Sequence, residues 1–277
     1  MEAQIRRATQ VIKDADVFLI TAGAGMGVDS GLPDFRGNEG FWRAYPALKG
    51  FSFVDMANPT WFHTDPHRAW GFYGHRLNLY RRTVPHHGFT TLLKWAKDKV
   101  DSSFIFTSNV DGQFQKAGFN EDQICECHGS IHHVQGFTRS GLIASADGIE
   151  LEIDQQQVKL VGELPKHNKI IGDIRPNILM FGDITWNEER TDEQHDHLEQ
   201  WLTYHQNSRI AIIEMGAGTA IPSVRYQGER VVRTHTQATL IRINPREAHI
   251  NVVGDRGISI PLGALEALDR LNDQYHK

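Results

Sequence analysis

Residues 21–36 have the types and spacing of a loop that binds a phosphate group. They follow a short apolar run, residues 16–20, which is typical of a buried parallel strand. Gly23 and Gly25 come next, and glycines at this point let backbone N–H groups approach a phosphate closely. The usual dinucleotide fingerprint requires a third glycine, but Val28 stands in its place. The pattern is instead Gly-Ala-Gly followed by Ser-Gly-x-Pro-Asp-Phe-Arg.

Polar residues also follow the other predicted strands of the chain. Ligands of open parallel sheets bind beyond the carboxyl ends of the strands, so these residues are expected to surround one crevice. His128 and Asp111 stand in two of these segments, and they carry an imidazole that titrates near neutral pH and a carboxylate that accepts hydrogen bonds. Each short pattern is weak alone, since Asn, Asp and Gly are common in turns. The segments concerned are 107–112, 127–130, 214–219 and 244–246.

Tyr73 and Arg76 form a third candidate group, suited to binding a carboxylate. They stand three residues apart in a predicted helix and therefore share one face. A guanidinium can bind a carboxylate through two hydrogen bonds, and a phenol can add another. The alternative is an ordinary helix face, with Tyr73 packed inward and Arg76 in solvent or in a salt bridge.

The elements that must position these residues follow from the apolar patterns. The first residues have helical spacing, and strands then alternate with helices, which predicts a mostly parallel α/β sheet with helices on both faces. Residues 22–62 lack periodicity and are predicted to be a long functional loop. Residues 136–175 are polar, contain short alternating stretches such as 148–153, and are predicted to be a small inserted module with a hairpin. Strands are predicted at 16–20, 104–107, 123–127, 178–181, 210–213 and 240–243, and helices at 66–83, 87–99, 187–205, 221–231 and 261–275.

Composition excludes several classes of protein. The 277 residues are 40% hydrophobic, which is enough for a normal core, and the formal charge of -5 gives no basic surface for nucleic acid. No apolar run is long enough to predict a membrane span, and no signal peptide is expected. The two cysteines, Cys125 and Cys127, cannot build a disulfide framework. A cytoplasmic protein without nucleic-acid or membrane partners is expected.

In chain order, these motifs resemble the sirtuin family, the NAD-dependent protein lysine deacylases. The segment 21–36 resembles the family's cofactor-binding motif. The later segments match the order of its Gln-Asn-Ile-Asp, His-Gly, Gly-Thr-Ser and Ile-Asn motifs. The resemblance runs from about residue 16 to 265, apart from the insert. It implies a Rossmann-like fold and an enzyme that uses NAD to move the acyl group of an acyl-lysine protein or peptide onto ADP-ribose, releasing nicotinamide.

The resemblance also implies a division of the chain and a role for each motif residue. The NAD-binding domain would comprise 1–35, 84–130 and 176–277. Residues 36–83 would form the cofactor-binding loop and the helical part of the small module, and 131–175 would replace a zinc ribbon. His128 would be the general base, with Asn109 as a second catalytic residue. The implied cofactor-binding residues are Gly23, Ala24, Gly25, Asp34, Phe35, Arg36, Ser108, Asn109, Asp111, His128, Gly216, Gly218 and Asn244.

Tyr73 and Arg76 resemble the Tyr-x-x-Arg motif of the desuccinylase and demalonylase branch, where the pair binds an acidic acyl chain. The chain departs from the family in two places. Most sirtuins hold a structural zinc with two Cys-x-x-Cys pairs, whereas Cys125 and Cys127 lie on a predicted core strand, so no zinc is expected. Ser108 stands where Gln is usual, which puts catalytic efficiency in question.

Two other classes of function are compatible with the same cofactor pocket. An ADP-ribosyltransferase or NAD glycohydrolase would differ from a deacylase in the acyl-lysine tunnel. A module that binds NAD or ADP-ribose without turnover would have no need of a general base, so His128 argues against it.

Overall fold

The apolar runs form a six-stranded parallel sheet at the centre of the molecule. The computed structural model describes residues 1–34, 37–99, 103–250 and 254–277, with the side chains of 37–39 left out. The strand order is β11-β10-β9-β1-β2-β3, so the direction of winding reverses between β1 and β9. These strands are β1 (Val17–Ala22), β2 (Ser103–Thr107), β3 (Ile124–Glu126), β9 (Ile210–Met215), β10 (Thr239–Ile243) and β11 (Gly257–Ile260).

Helices cover both faces of this sheet because alternate strand residues point to opposite sides. In β1, Phe18 and Ile20 pack in the core beneath the first group of helices, whereas Val17 and Leu19 pack beneath the second. The first group is α1 (Glu2–Asp14), α6 (His87–Lys97) and α10 (Ala264–Tyr275), and the second is α8 (Glu189–Tyr204) and α9 (Ser223–Thr234). The predicted Rossmann-like α/β fold is therefore confirmed.

A smaller module with its own apolar core is built mainly from residues 32–80 and 131–180. Its longest helix is α5 (Pro66–Arg82), which packs so closely on a short hairpin that a Cβ on Gly71 would lie 2.1 Å from the Val158 carbonyl oxygen. The other helices described before β3 are α2 (Gly37–Ala44), α3 (Phe53–Met56), α4 (Trp61–Thr64) and α7 (Gln113–Lys116). The module's strands are β4 (Gly129–Gln135), β5 (Ala144–Ser145), β6 (Ile153–Asp154), β7 (Lys159–Leu160) and β8 (Arg175–Ile178). Short 3-10 helices span Ala24–Met26, Val28–Ser30, Pro46–Leu48, Glu121–Gln123 and Gly254–Arg256.

Two predictions about these elements are wrong. The run 178–181 is not a strand of the parallel sheet, because β8 ends at Ile178 and pairs antiparallel with β4 in a separate sheet. Residues 22–62 are not a structureless loop, since they include helices too short to show a period. The hairpin predicted within residues 136–175 is confirmed, since β6 pairs antiparallel with β7, whereas residues 148–152 form no strand.

Within the described ranges, no helix combines the length and the apolar character needed to cross a membrane. The domain boundaries and the cytoplasmic location inferred above stay predictions.

Candidate active site

Two glycine-containing loops meet where the strand order reverses. Gly23 follows β1 and Gly216 follows β9. The Gly23 N–H donates to the Met215 carbonyl at 3.0 Å, and the Gly25 N–H donates to the Gly216 carbonyl at 3.1 Å. A Cβ on Gly216, whose φ is +62°, would lie 2.4 Å from the Gly25 carbonyl carbon. These glycines therefore allow one loop to contact the other, a role that the sequence analysis did not foresee.

The same contact leaves backbone donors at the crevice. In the part of the chain that the structure describes, the N–H groups of Ala217 and Gly218 donate to no acceptor. Neighbouring N–H groups at the carboxyl end of a parallel strand form a favourable environment for an anion. The loops thus fit the pyrophosphate of a dinucleotide. Ala24 is exposed beside this crevice, and Asp34 is partly exposed. Phe35 and Arg36 lie outside the described residues.

Asn109 is held against the first glycine loop. The Ser108 N–H and the Thr107 hydroxyl both donate to the Ala22 carbonyl, at 3.1 and 2.9 Å. The Thr107 hydroxyl also accepts from the Asn109 N–H at 3.0 Å. The Asn109 side-chain amide donates to the Gly23 carbonyl at 3.1 Å. The end of β2 and the end of β1 therefore form one connected backbone surface.

Asp111 is a buried carboxyl group in the same segment, with 9% of its surface exposed. Its Oδ1 accepts from the Gln113 N–H at 3.0 Å, and its Oδ2 would lie 3.7 Å from a Cβ on Gly27. Burial raises the pKa of Asp111 to about 6; Glu126 adds to the rise, whereas the Gln113 N–H and Arg76 oppose it. The carboxyl group is therefore ionised near neutral pH and protonated in mild acid.

His128 stands at the end of β3, next to the Asn109 segment. Its Nε2 lies 3.4 Å from the Ser223 hydroxyl oxygen. Burial lowers the pKa of His128, and the nearby Ser108 backbone opposes this only in part. The imidazole is therefore neutral at physiological pH and has one nitrogen able to accept a proton. Ser223 was not predicted as a site residue, although it is the first residue of α9.

The Asn244 side chain is hydrogen-bonded to the second glycine loop. It is fully buried, and its amide donates to the Ala217 carbonyl at 2.9 Å. Its Oδ1 accepts from the N–H groups of Arg246 and Glu247. Glu247 in turn accepts from the Thr219 N–H at 3.1 Å, a contact that the sequence analysis missed. Asn244 therefore helps to order the loop that contains Gly218, because its side chain joins the Ala217 carbonyl to the backbone of residues 246 and 247.

Tyr73 and Arg76 are brought together, but both are buried in the module, with 1% and 6% of their surfaces exposed. The Arg76 guanidinium lies 5.6 Å from the centre of the Tyr73 ring, and its Nε donates to the Tyr80 hydroxyl at 3.0 Å. Phe53 and Phe72 also lie within 5.8 Å of it. Arg76 lies near enough to Asp111 for its positive charge to oppose the rise in the pKa of that carboxyl group.

The two cysteines are poor metal ligands in this fold. Cys125 is buried, and burial raises the pKa of its thiol to about 12; burial also raises the pKa of Cys127. Among the described residues, no group of three or more His, Cys, Asp or Glu side chains is placed to hold a metal. The absence of zinc stays a prediction. A separate cavity of about 240 Å³ lies in the module, and its lining includes none of the predicted site residues.

Comparison with known proteins agrees with this geometry. Residues 23–204 match the model of the Sir2 family. The NAD-dependent protein deacylase of Aquifex aeolicus is 24% identical over 259 residues, covering 91% of this chain and 94% of that protein. The one from Aeropyrum pernix is 25% identical over 272 residues, covering 98% and 97%. A crystal structure of a Sir2 homologue in complex with NAD has a TM-score of 0.72 at 22% identity, covering 98% of this chain and 93% of that chain. This chain belongs to the Sir2 family.

Proposed function

We propose that this protein is an NAD-dependent protein lysine deacylase, which transfers the acyl group to ADP-ribose and releases nicotinamide. The observation that carries the proposal is the position of the His128 ring, 3.4 Å from the Ser223 hydroxyl oxygen and next to the segment whose Asn109 donates to the first glycine loop. The deacylase activity named for the relatives supports the same conclusion.

The residues of the crevice fit NAD. The unused N–H groups of Ala217 and Gly218 would bind the pyrophosphate, and Gly23, Ala24 and Gly25 would form the opposite wall. Asp34, Phe35 and Arg36 would shape the pocket near the nicotinamide ribose. Asn109 and Asp111 would hold the nicotinamide end, where the ionised Asp111 can accept from the carboxamide. Gly216, Gly218 and Asn244 would order the adenosine side.

His128 would be the general base. When bound, NAD would supply a ribose carbon at which the acyl oxygen of an acyl-lysine can displace nicotinamide. The unprotonated ring nitrogen of the neutral His128 would take the proton of a ribose hydroxyl, which activates that oxygen toward the acyl carbon. A neutral imidazole suits this step, because a protonated ring could not accept.

We further propose that acidic acyl groups such as succinyl and malonyl are preferred. Tyr73, Arg76 and Tyr80 place a guanidinium between phenols close enough to Asp111 to affect its ionisation. A carboxylate on the acyl chain would bind there, because a buried guanidinium gains most from an opposite charge. Arg76→Met is expected to weaken removal of succinyl and malonyl groups while sparing acetyl. The matched control is Arg82→Met, which changes an exposed arginine of the same helix. An equal loss for acetyl and succinyl peptides would reject this preference.

The deacylase proposal is tested by incubating the protein with NAD and with acetyl-, succinyl- or malonyl-lysine peptides. Nicotinamide release that requires an acylated peptide is the expected result. His128→Ala should abolish it, whereas His197→Ala, an exposed histidine of α8, should not. Release without peptide would indicate a glycohydrolase or ADP-ribosyltransferase, and no release would indicate a binding module; either outcome refutes the proposal.

A further inference from the structure

A break in the pairing of β4 and β8 directs part of the module's sheet toward the candidate site. Gly129 pairs with Ile178 and Ser130 with Asn177, but the next pair is Val134 with Pro176, so the register shifts between Ser130 and Val134. The intervening residues, 131–133, have no partner on β8. Such bulges re-aim side chains and backbone, and they are frequent beside active sites.

The residues of this bulge hydrogen-bond to the segment that contains Asn109 and Asp111. The Ile131 N–H donates to the Val110 carbonyl at 3.0 Å. The His132 Nε2 donates to the Asp111 carbonyl, also at 3.0 Å. Two successive carbonyls of the segment are therefore held by two successive residues of β4.

The His132 ring also lies directly against Gly112. A Cβ on Gly112 would be 2.7 Å from the ring carbon Cδ2, and Gly112 has a φ of +67° that favours glycine. The backbone turns at Gly112, and the Gln113 N–H then donates back to the Asp111 carboxyl group. The position of this turn thus depends on the ring that covers it.

We propose that His132 is a positioning residue for NAD: by its hydrogen bond to the Asp111 carbonyl and its contact with Gly112, it fixes the segment that presents Asn109 and Asp111. This inference rests on the proposed function, because those two residues would hold the nicotinamide end. His132 itself would not touch the reacting atoms. The backbone of His132 is anchored separately, since its carbonyl accepts from the Ala146 N–H at 2.8 Å.

Two amide substitutions of His132 distinguish the loss of its hydrogen bond to the Asp111 carbonyl from general effects on folding. In His132→Gln the side-chain nitrogen can reach the place of Nε2, whereas the shorter amide of His132→Asn matches Nδ1 and cannot. His132→Asn is expected to raise the KM for NAD about tenfold, the effect of one buried carbonyl losing its donor. kcat at saturating NAD and the KM for peptide should change by less than about twofold, and His132→Gln should restore the KM for NAD. The control is His133→Gln, the neighbouring histidine, which is expected to leave all constants unchanged.

Calorimetry with NAD alone gives a second measurement that needs no turnover, and thermal unfolding shows that each variant folds. The dissociation constant should follow the same order, with His132→Asn weaker than His132→Gln. Equal NAD affinity in the unsubstituted protein and His132→Asn would refute this inference and leave the deacylase proposal intact. A failure of the unsubstituted protein to bind NAD would refute both.

Discussion

Replacing Asp111 by Asn is expected to stabilise the protein in the absence of NAD, although Asp111 is proposed to bind the cofactor. Burial raises the pKa of this carboxyl group from 3.8 to about 6. The folded state therefore binds the proton more tightly than the unfolded state, and ionising Asp111 costs folding free energy. The difference in pKa corresponds to about 3 kcal/mol at pH values well above 6. Asn is nearly isosteric and its side-chain oxygen can still accept from the Gln113 N–H.

The pH dependence makes this prediction specific. Well below pH 3.8 the group is protonated in both states, so the free energies of unfolding of Asp111→Asn and the unsubstituted protein should be similar. By linkage, the advantage of Asn should be about 1.5 kcal/mol at pH 5 and should approach about 3 kcal/mol at pH 8. Urea denaturation followed by circular dichroism at pH 5 and pH 8 measures both values. Asp196→Asn, an exposed carboxyl group on α8, is the control and should show no such change.

Two results would contradict the reasoning about Asp111. One is an advantage of Asn that does not grow between pH 5 and pH 8, since the burial of an ionised carboxylate would then not be its cause. The other is a loss of stability at pH 8. The affinity for NAD is measured separately from stability. It should be lower in Asp111→Asn than in the unsubstituted protein if the carboxylate binds the carboxamide.

Three further outcomes are expected. Gly216→Ala should strongly reduce both NAD affinity and the free energy of unfolding, because its Cβ would lie 2.4 Å from the Gly25 carbonyl carbon. The control Gly172→Ala, with φ of +89° and open space around it, should cost only the backbone strain of about 1 kcal/mol. Equal losses for the two variants in calorimetry with NAD and in urea unfolding would refute the loop contact. Arg242→Met should lower the free energy of unfolding in urea by about 3–5 kcal/mol. The Arg242 Nη2 donates to Glu214 Oε2 at 3.0 Å, and the substitution would remove this partner from a buried carboxylate. The rate of deacylation should fall as the pH drops below about 6, where Asp111 takes up a proton; a pH profile without this acid limb would reject the need for its ionised form.

The sequence predicted the central strands well because they are buried on both faces and form continuous apolar runs. β1, β2, β9 and β10 lie where such runs occur. An apolar run also led to the wrong prediction of a parallel-sheet strand at 178–181. A short apolar run indicates burial but does not indicate which sheet it joins, and Ile178 and Met180 pack in the module's core. β11 was missed since only Ile258 and Ile260 of this edge strand are buried.

The candidate site was predictable only where a motif marks it. His128 and Asn109 stand in short motifs at strand ends, and the fold places Asn109 against the first glycine loop and His128 near Ser223. The sequence analysis did not identify the supporting residues Ser223 and Glu247. Their contacts join segments far apart in the chain, and no local pattern of residue types indicates them. The buried position of Arg76 could not be predicted either, because helical spacing indicates a shared face and not the depth of the group.

The identity of the product tests the central claim most directly. Mass spectrometry of a reaction with NAD and an acylated lysine peptide should show acyl-ADP-ribose and deacylated peptide in equal amounts. Both should disappear in His128→Ala. Free ADP-ribose formed at the same rate with and without peptide, or full formation of acyl-ADP-ribose by His128→Ala, would contradict the account.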